Sequence, residues 1–101
     1  MIFIAFASFP QAHLKEAATA FLSLKTLPPS IQRRGPYFKI EEGSEIEIIT
    51  FYEFSADYND KAKKFLESRY KSFADVPNFS VRIEPRMDMQ EALLKLQIKQ
   101  Q

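Results

Sequence analysis

The chain has 101 residues, 46 % hydrophobic and 27 % charged, a balance and length suited to one modest core in an ordinary globular protein. Its net charge of +1 provides no global field toward nucleic acid or anionic lipid. The absence of Cys removes thiol chemistry, disulfides and thiolate zinc sites, and a lone His excludes a multi-histidine metal centre within one subunit.

Ile2 to Phe9 (IFIAFASF) is apolar at nearly every position, the pattern of a strand covered on both faces. Pro10 stops it and suits the first turn of a helix. From Gln11 to about Lys25, Leu14, Ala17, Ala18, Phe21 and Leu24 recur at helical spacing, and Leu27-Pro28-Pro29-Ser30 ends the helix. Ile31 to Pro36 is the least regular stretch, a loop or the start of an edge strand carrying Arg33 and Arg34. Tyr37 to Glu41 alternates as a strand, and Glu42-Gly43-Ser44 supplies a hairpin turn.

Glu45 to Phe54 (EIEIITFYEF) opens with strict alternation and then becomes apolar on both sides at Ile49, Phe51, Tyr52 and Phe54. That change marks a central strand with both faces covered. Asp57 and Asp60 resemble a capping box ahead of a helix to about Phe73, with Ala62, Phe65, Leu66, Tyr70 and Phe73 as its buried stripe. Phe79 to Glu84 alternates again, with Pro85 closing it. Asp88 and Glu91 have true capping-box spacing before a C-terminal helix containing Ala92, Leu93, Leu94, Leu96 and Ile98. Met87 and Met89 are expected to pack that helix onto the domain. The ten Phe and no Trp point to a core of large rings.

The order strand, helix, strand, strand, helix, strand, then an added helix predicts an α+β fold over residues 1–101. Two βαβ halves with right-handed crossovers give a ferredoxin-like βαββαβ sheet, four-stranded and antiparallel, with helices on one face. The first and third strands are central in that arrangement, and they are the two segments that are apolar on both sides. Helices cover one face; the other exposes Ile49, Phe51 or their neighbours unless something packs there. A second copy is the economical cover, so the chain is expected to pair with itself through the open sheet face.

The Met1 to Phe9 strand, the Pro10 break, Leu27-Pro28-Pro29, Tyr52-Glu53-Phe54 and the Phe79 to Pro85 strand together carry a resemblance. The chain resembles the small single-domain dimeric α+β barrel proteins, a group that includes stress-type and monooxygenase-like domains. The resemblance spans nearly the full length and rests on pattern and topology. Members with oxygenase activity use particular His, Asn or Trp residues in the barrel pocket. This chain has no Trp and its His lies at a helix start, so that chemistry is not carried over.

Alternation places Arg82 and Glu84 on the open face when Phe79, Val81 and Ile83 face the helices. Tyr37, Lys39 and Glu41 share that face by the same argument, with Glu53 on the third strand. Such a set around an apolar floor suits a small organic ligand, acidic or phenolic; equally, it suits ion pairs rimming a dimer interface. His13 in the first helical turn has the position of a general base but no partner identifiable in sequence; a solvated His is the alternative. Arg33 and Arg34 before Gly35-Pro36 resemble an anion clamp, without the Gly-rich cradle of a phosphate loop. RNA-recognition modules share the element order, yet Glu45, Glu47 and Glu53 stand in the third strand where those modules are basic and aromatic, so no nucleic-acid partner is expected. No apolar run approaches a membrane span, so the expected setting is cytoplasmic, with no membrane partner, metal or cofactor. No catalytic constellation emerges, and the expected function is a homodimeric binding or structural module. The alternative is a cofactor-free enzyme, monooxygenase- or isomerase-like, acting on a small organic molecule in the barrel cleft.

Overall fold

The computed structural model describes residues 1–55 and 59–100. The elements in chain order are β1 (Ile2–Phe9), α1 (Leu14–Leu22), β2 (Ile31–Lys39), β3 (Ile46–Phe54), α2 (Asn59–Tyr70), β4 (Ser80–Arg86) and α3 (Met89–Gln100). The strands form one antiparallel sheet in the order β2-β3-β1-β4, giving an α+β fold with the two doubly apolar strands at its centre.

The pleat divides each central strand between two environments. Phe3, Ala5, Ala7 and Phe9 of β1 are buried toward the helices, as are Ile46, Ile48, Thr50, Tyr52 and Phe54 of β3. Their neighbours Ile2, Ile4, Phe6, Ile49 and Phe51 point the other way and are half-buried. Alanines line both sides of the sheet–helix interface: Ala17 and Ala20 on α1 and Ala62 on α2 are buried in the same core as Ala5 and Ala7. Large rings fill what the alanines leave. Phe73 stacks on Phe79 at 4.5 Å and meets Phe21 edge-on at 4.7 Å, while Phe9 stacks on Phe79 at 6.2 Å. Tyr52 and Tyr70 bury their hydroxyls against each other, 2.8 Å apart, which satisfies both. Burial and the neighbouring Tyr52 push the Tyr70 phenol well above its ordinary range.

Several boundaries differ from the sequence expectation. The first helix begins as a 3₁₀ turn at Gln11–His13 and stops at Leu22, short of Lys25. Ala20 is buried, while Leu14 and Ala18 stay exposed, so the buried stripe is narrower than the periodicity suggested. The irregular stretch from Ile31 proves to be the first half of β2, with a bulge between Arg34 and Tyr37 that inserts one extra residue opposite Phe51–Ile49. Gly35 sits in the bulge at φ 99°, and a Cβ there would meet the Ile49 carbonyl oxygen at 3.0 Å. β2 ends at Lys39, so Glu41 belongs to the following turn, where the Ser44 N–H donates to the Glu41 carbonyl at 3.2 Å. The amide of Gln11 ties the helix start to this turn by donating to the Glu41 and Ser44 carbonyls at 2.6 and 2.7 Å.

α2 passes into a 3₁₀ turn at Lys71–Phe73 and buries Ala62, Leu66, Tyr70 and Phe73 as its spacing requires; Phe65 lies at the margin. Asp57 of the expected first capping box lies outside the described residues. β4 continues through Pro85 to Arg86, because as an edge strand it pairs only with β1 and tolerates a missing N–H. α3 has its capping box: the Glu91 N–H donates to Asp88 Oδ1 at 2.8 Å, and the Asp88 N–H donates to Glu91 Oε1 at 3.3 Å. Contrary to expectation, Met87 and Met89 do not pack it onto the sheet; both are exposed, as are Leu93 at 51 %, Leu94 at 61 % and Leu96 at 54 %. The radius of gyration is 15.8 Å, against about 13 Å for a compact chain of this length.

Candidate functional site

The face of the sheet away from α1 and α2 carries nearly all the residues singled out by alternation. Its middle is a strip of Ile2, Ile4 and Phe6 on β1 and Ile49 and Phe51 on β3, with Phe6 opposite Ile49 and Ile4 opposite Phe51. Two-faced apolarity in these strands is thereby resolved into one face buried by helices and one left half-open. Charged and polar side chains border the strip on both edge strands.

On the β4 side, Arg82 pairs with Glu84, and Arg86 Nη2 lies 2.7 Å from the same carboxylate. The hydrogen bond from Arg86, with Arg82 alongside, holds the Glu84 carboxyl below the usual carboxylate range. The Arg82 guanidinium also sits 4.7 Å from the centre of the Phe6 ring. Both charged groups that alternation placed on the open face are thus there, engaged with each other and with the strip.

On the β2 side, Tyr37 and Glu53 come together across an open cleft of about 240 Å³, floored by Ile2 and Phe51 and completed by Gln32 and Arg34. The Tyr37 ring meets Phe51 edge-on at 6.4 Å. Lys39 stands further along the strand, 3.7 Å from Glu41 and 3.8 Å from Glu47, next to a second hollow containing Phe6, Ile49 and Tyr37. The cation beside Tyr37 and Glu53 is therefore Arg34, with Arg82 three strands away, roughly 14 Å at ordinary strand spacing.

The adjacent arginines do not form a clamp. Residues next to each other on a strand point to opposite faces, so Arg34 enters the open-face cleft while Arg33, opposite Tyr52, points to the helix side. His13 lies in the turn before α1, on neither cleft, with Nδ1 3.9 Å from a Glu16 carboxylate oxygen. No group of three or more His, Asp or Glu positioned to hold a metal occurs among the described residues, and none of their helices is long and apolar enough to cross a membrane.

A phenol, a guanidinium and a carboxylate over an apolar floor can orient a small polar molecule. No hydrogen bond joins Tyr37, Arg34 and Glu53 among the described residues, and none of the three has the nucleophile–base pairing of covalent catalysis. Alternation was enough to place Tyr37 and Glu53 on one face. The role of Arg34 was hidden because the bulge at Gly35-Pro36 breaks the alternation linking it to Tyr37. Comparison of the chain with protein-family models and with curated proteins finds no match.

Proposed function

We propose that this chain is a homodimeric binding module of the ferredoxin-like, dimeric α+β barrel type, whose two sheets pack face to face. The observation carrying this reading is the half-buried strip of Ile2, Ile4, Phe6, Ile49 and Phe51, bordered by ion pairs on both edge strands. A contiguous apolar patch with a polar rim is the anatomy of a protein interface. The order β2-β3-β1-β4, antiparallel throughout, supports the ferredoxin-like assignment, because two βαβ halves with right-handed crossovers produce that order.

Binding without chemistry is favoured over a cofactor-free enzyme acting on a small organic molecule. Arg82, one of the groups an enzyme reading enlists, is paired with Glu84 on the far edge from Tyr37 and Glu53. The cleft at Tyr37, Arg34 and Glu53 is a place for a small ligand at the rim of the interface.

Phe51→Asp is the test. The substitution sets an unpaired charge in the centre of the interface, a cost of about 3 kcal/mol or more and over a hundredfold in dimer affinity by order of magnitude. Phe51 is half-buried and lies on the face away from the helix-packed core, so the fold survives. Sedimentation should show the variant monomeric with an unchanged circular dichroism spectrum. An association constant equal to that of the parent would refute the sheet-to-sheet interface.

A further inference from the structure

The helix-side surface beside β2 holds a second apolar hollow, on the opposite side of the sheet from the proposed dimer face. α2 packs against β4, and α1 against the turn at Lys71–Phe73, leaving the inner face of β2 beyond Ile31 incompletely covered. Phe38 on that face is 49 % exposed. Between α1 and β2 runs an open groove of about 810 Å³, within the range of small-molecule sites. Leu14, Ala18 and Leu22 form one wall; Phe21, Leu27 and Phe38 form the floor, with the two rings edge-on at 5.9 Å.

The charged groups on this groove are of one sign. Lys25, Arg33 and Arg69 line it, and no Asp or Glu does among the described residues. On the open face Lys39, Arg82 and Arg86 meet carboxylates, and Arg34, which meets none within ion-pair distance among the described residues, shares its cleft with Glu53. Lys25 and Arg33 meet none within ion-pair distance among the described residues. Arg69 donates through Nη1 to the Lys25 carbonyl at 2.8 Å, a neutral acceptor, and its buried Nε meets no acceptor among the described residues. Three lining cations without a carboxylate among the described residues make an acceptor of negative charge the complementary partner.

We infer that this groove is a binding site for a small amphipathic anion, a molecule with a carboxylate headgroup and an apolar body. The headgroup meets Arg33, Lys25 and Arg69, and the body lies along Leu22, Phe21 and Phe38. A neutral lipid would leave the three cations uncompensated. Nor is α3 of a second copy a suitable occupant, since the charges beyond its cap, Lys95 and Lys99, have the same sign as the groove.

Calorimetric titration of the full chain with decanoate below its micellar concentration tests this, with 1-decanol as the uncharged control. Leu22 is 89 % exposed and Arg33 is exposed, so Arg33→Gln and Leu22→Glu leave the fold intact, as circular dichroism would verify. Decanoate should bind saturably at one site per chain and more tightly than the alcohol. Each variant should weaken it about tenfold, the loss of one charge-assisted hydrogen bond or the gain of one repelling carboxylate. Phe51→Asp should bind decanoate like the parent, which separates this site from the dimer interface. Absence of saturation at millimolar ligand, equal binding of 1-decanol, or affinities unmoved by both variants would overturn the assignment.

Discussion

Gly35 shows how one residue fixes the position of its neighbours. Its φ of 99° and the 3.0 Å approach of a would-be Cβ to the Ile49 carbonyl oxygen make any side chain there strained and crowded. Gly35→Ala should therefore destabilise the protein by about 1–3 kcal/mol in urea unfolding and disturb the Tyr37 and Arg34 resonances together. A stability change near zero would mean that the bulge relaxes freely. The Tyr52–Tyr70 pair lends itself to a pH experiment. The folded-state pKa of Tyr70 is raised, so between the ordinary phenol value of 10.0 and that higher value the unfolded chain has lost a proton that the native chain keeps. Its contribution to stability is full below pH 10.0 and declines as the pH rises above it. Tyr70→Phe should cost about 1–2 kcal/mol at neutral pH, by leaving the Tyr52 hydroxyl unpaired, and should flatten the alkaline decline of stability. An alkaline slope equal to that of the parent would contradict this.

Among the elements, the central strands were the most legible in sequence, and for a physical reason. β1 and β3 lose alternation because both of their faces are apolar, and that pattern identified them as inner strands before any topology was known. The edge strands were read less well. In β2 only the stretch from Tyr37 alternates, and Ile31 to Pro36 reads equally as a loop or the start of an edge strand, since an inserted residue at Gly35-Pro36 shifts the phase of everything before it. β4 outran Pro85 because an edge strand need not donate on its free side. Candidate-site residues followed the same divide. Alternation put Tyr37, Lys39, Glu53, Arg82 and Glu84 on one face, but the pairing of Arg82 with Glu84 and the substitution of Arg34 into the cleft depend on distances between strands that no local pattern encodes. α3 is the inverse case: its cap was plain in sequence, whereas its exposed leucines were not. Asp88→Ala removes that cap and should cost about 1 kcal/mol of helix stability. Amide exchange should quicken across 89–95 with the sheet amides unchanged; equal acceleration in β1 and β3 would show α3 to be coupled to the core.

At the scale of the whole molecule, the sheet has two faces with different tasks. One is packed by alanines and stacked phenylalanines against α1 and α2, with a cationic groove at its β2 margin. The other presents an apolar strip that no described element covers, between rims of opposed charges. Burying that strip against its copy would remove the largest apolar liability of the fold and set the Tyr37–Arg34–Glu53 cleft at the edge of the joint. The measurement that bears most directly on this account is the molar mass by light scattering over a hundredfold dilution. A mass of twice 11.8 kDa, stable on dilution in the parent and halved by Phe51→Asp, is the result the account predicts. A mass of one chain at every concentration would contradict it.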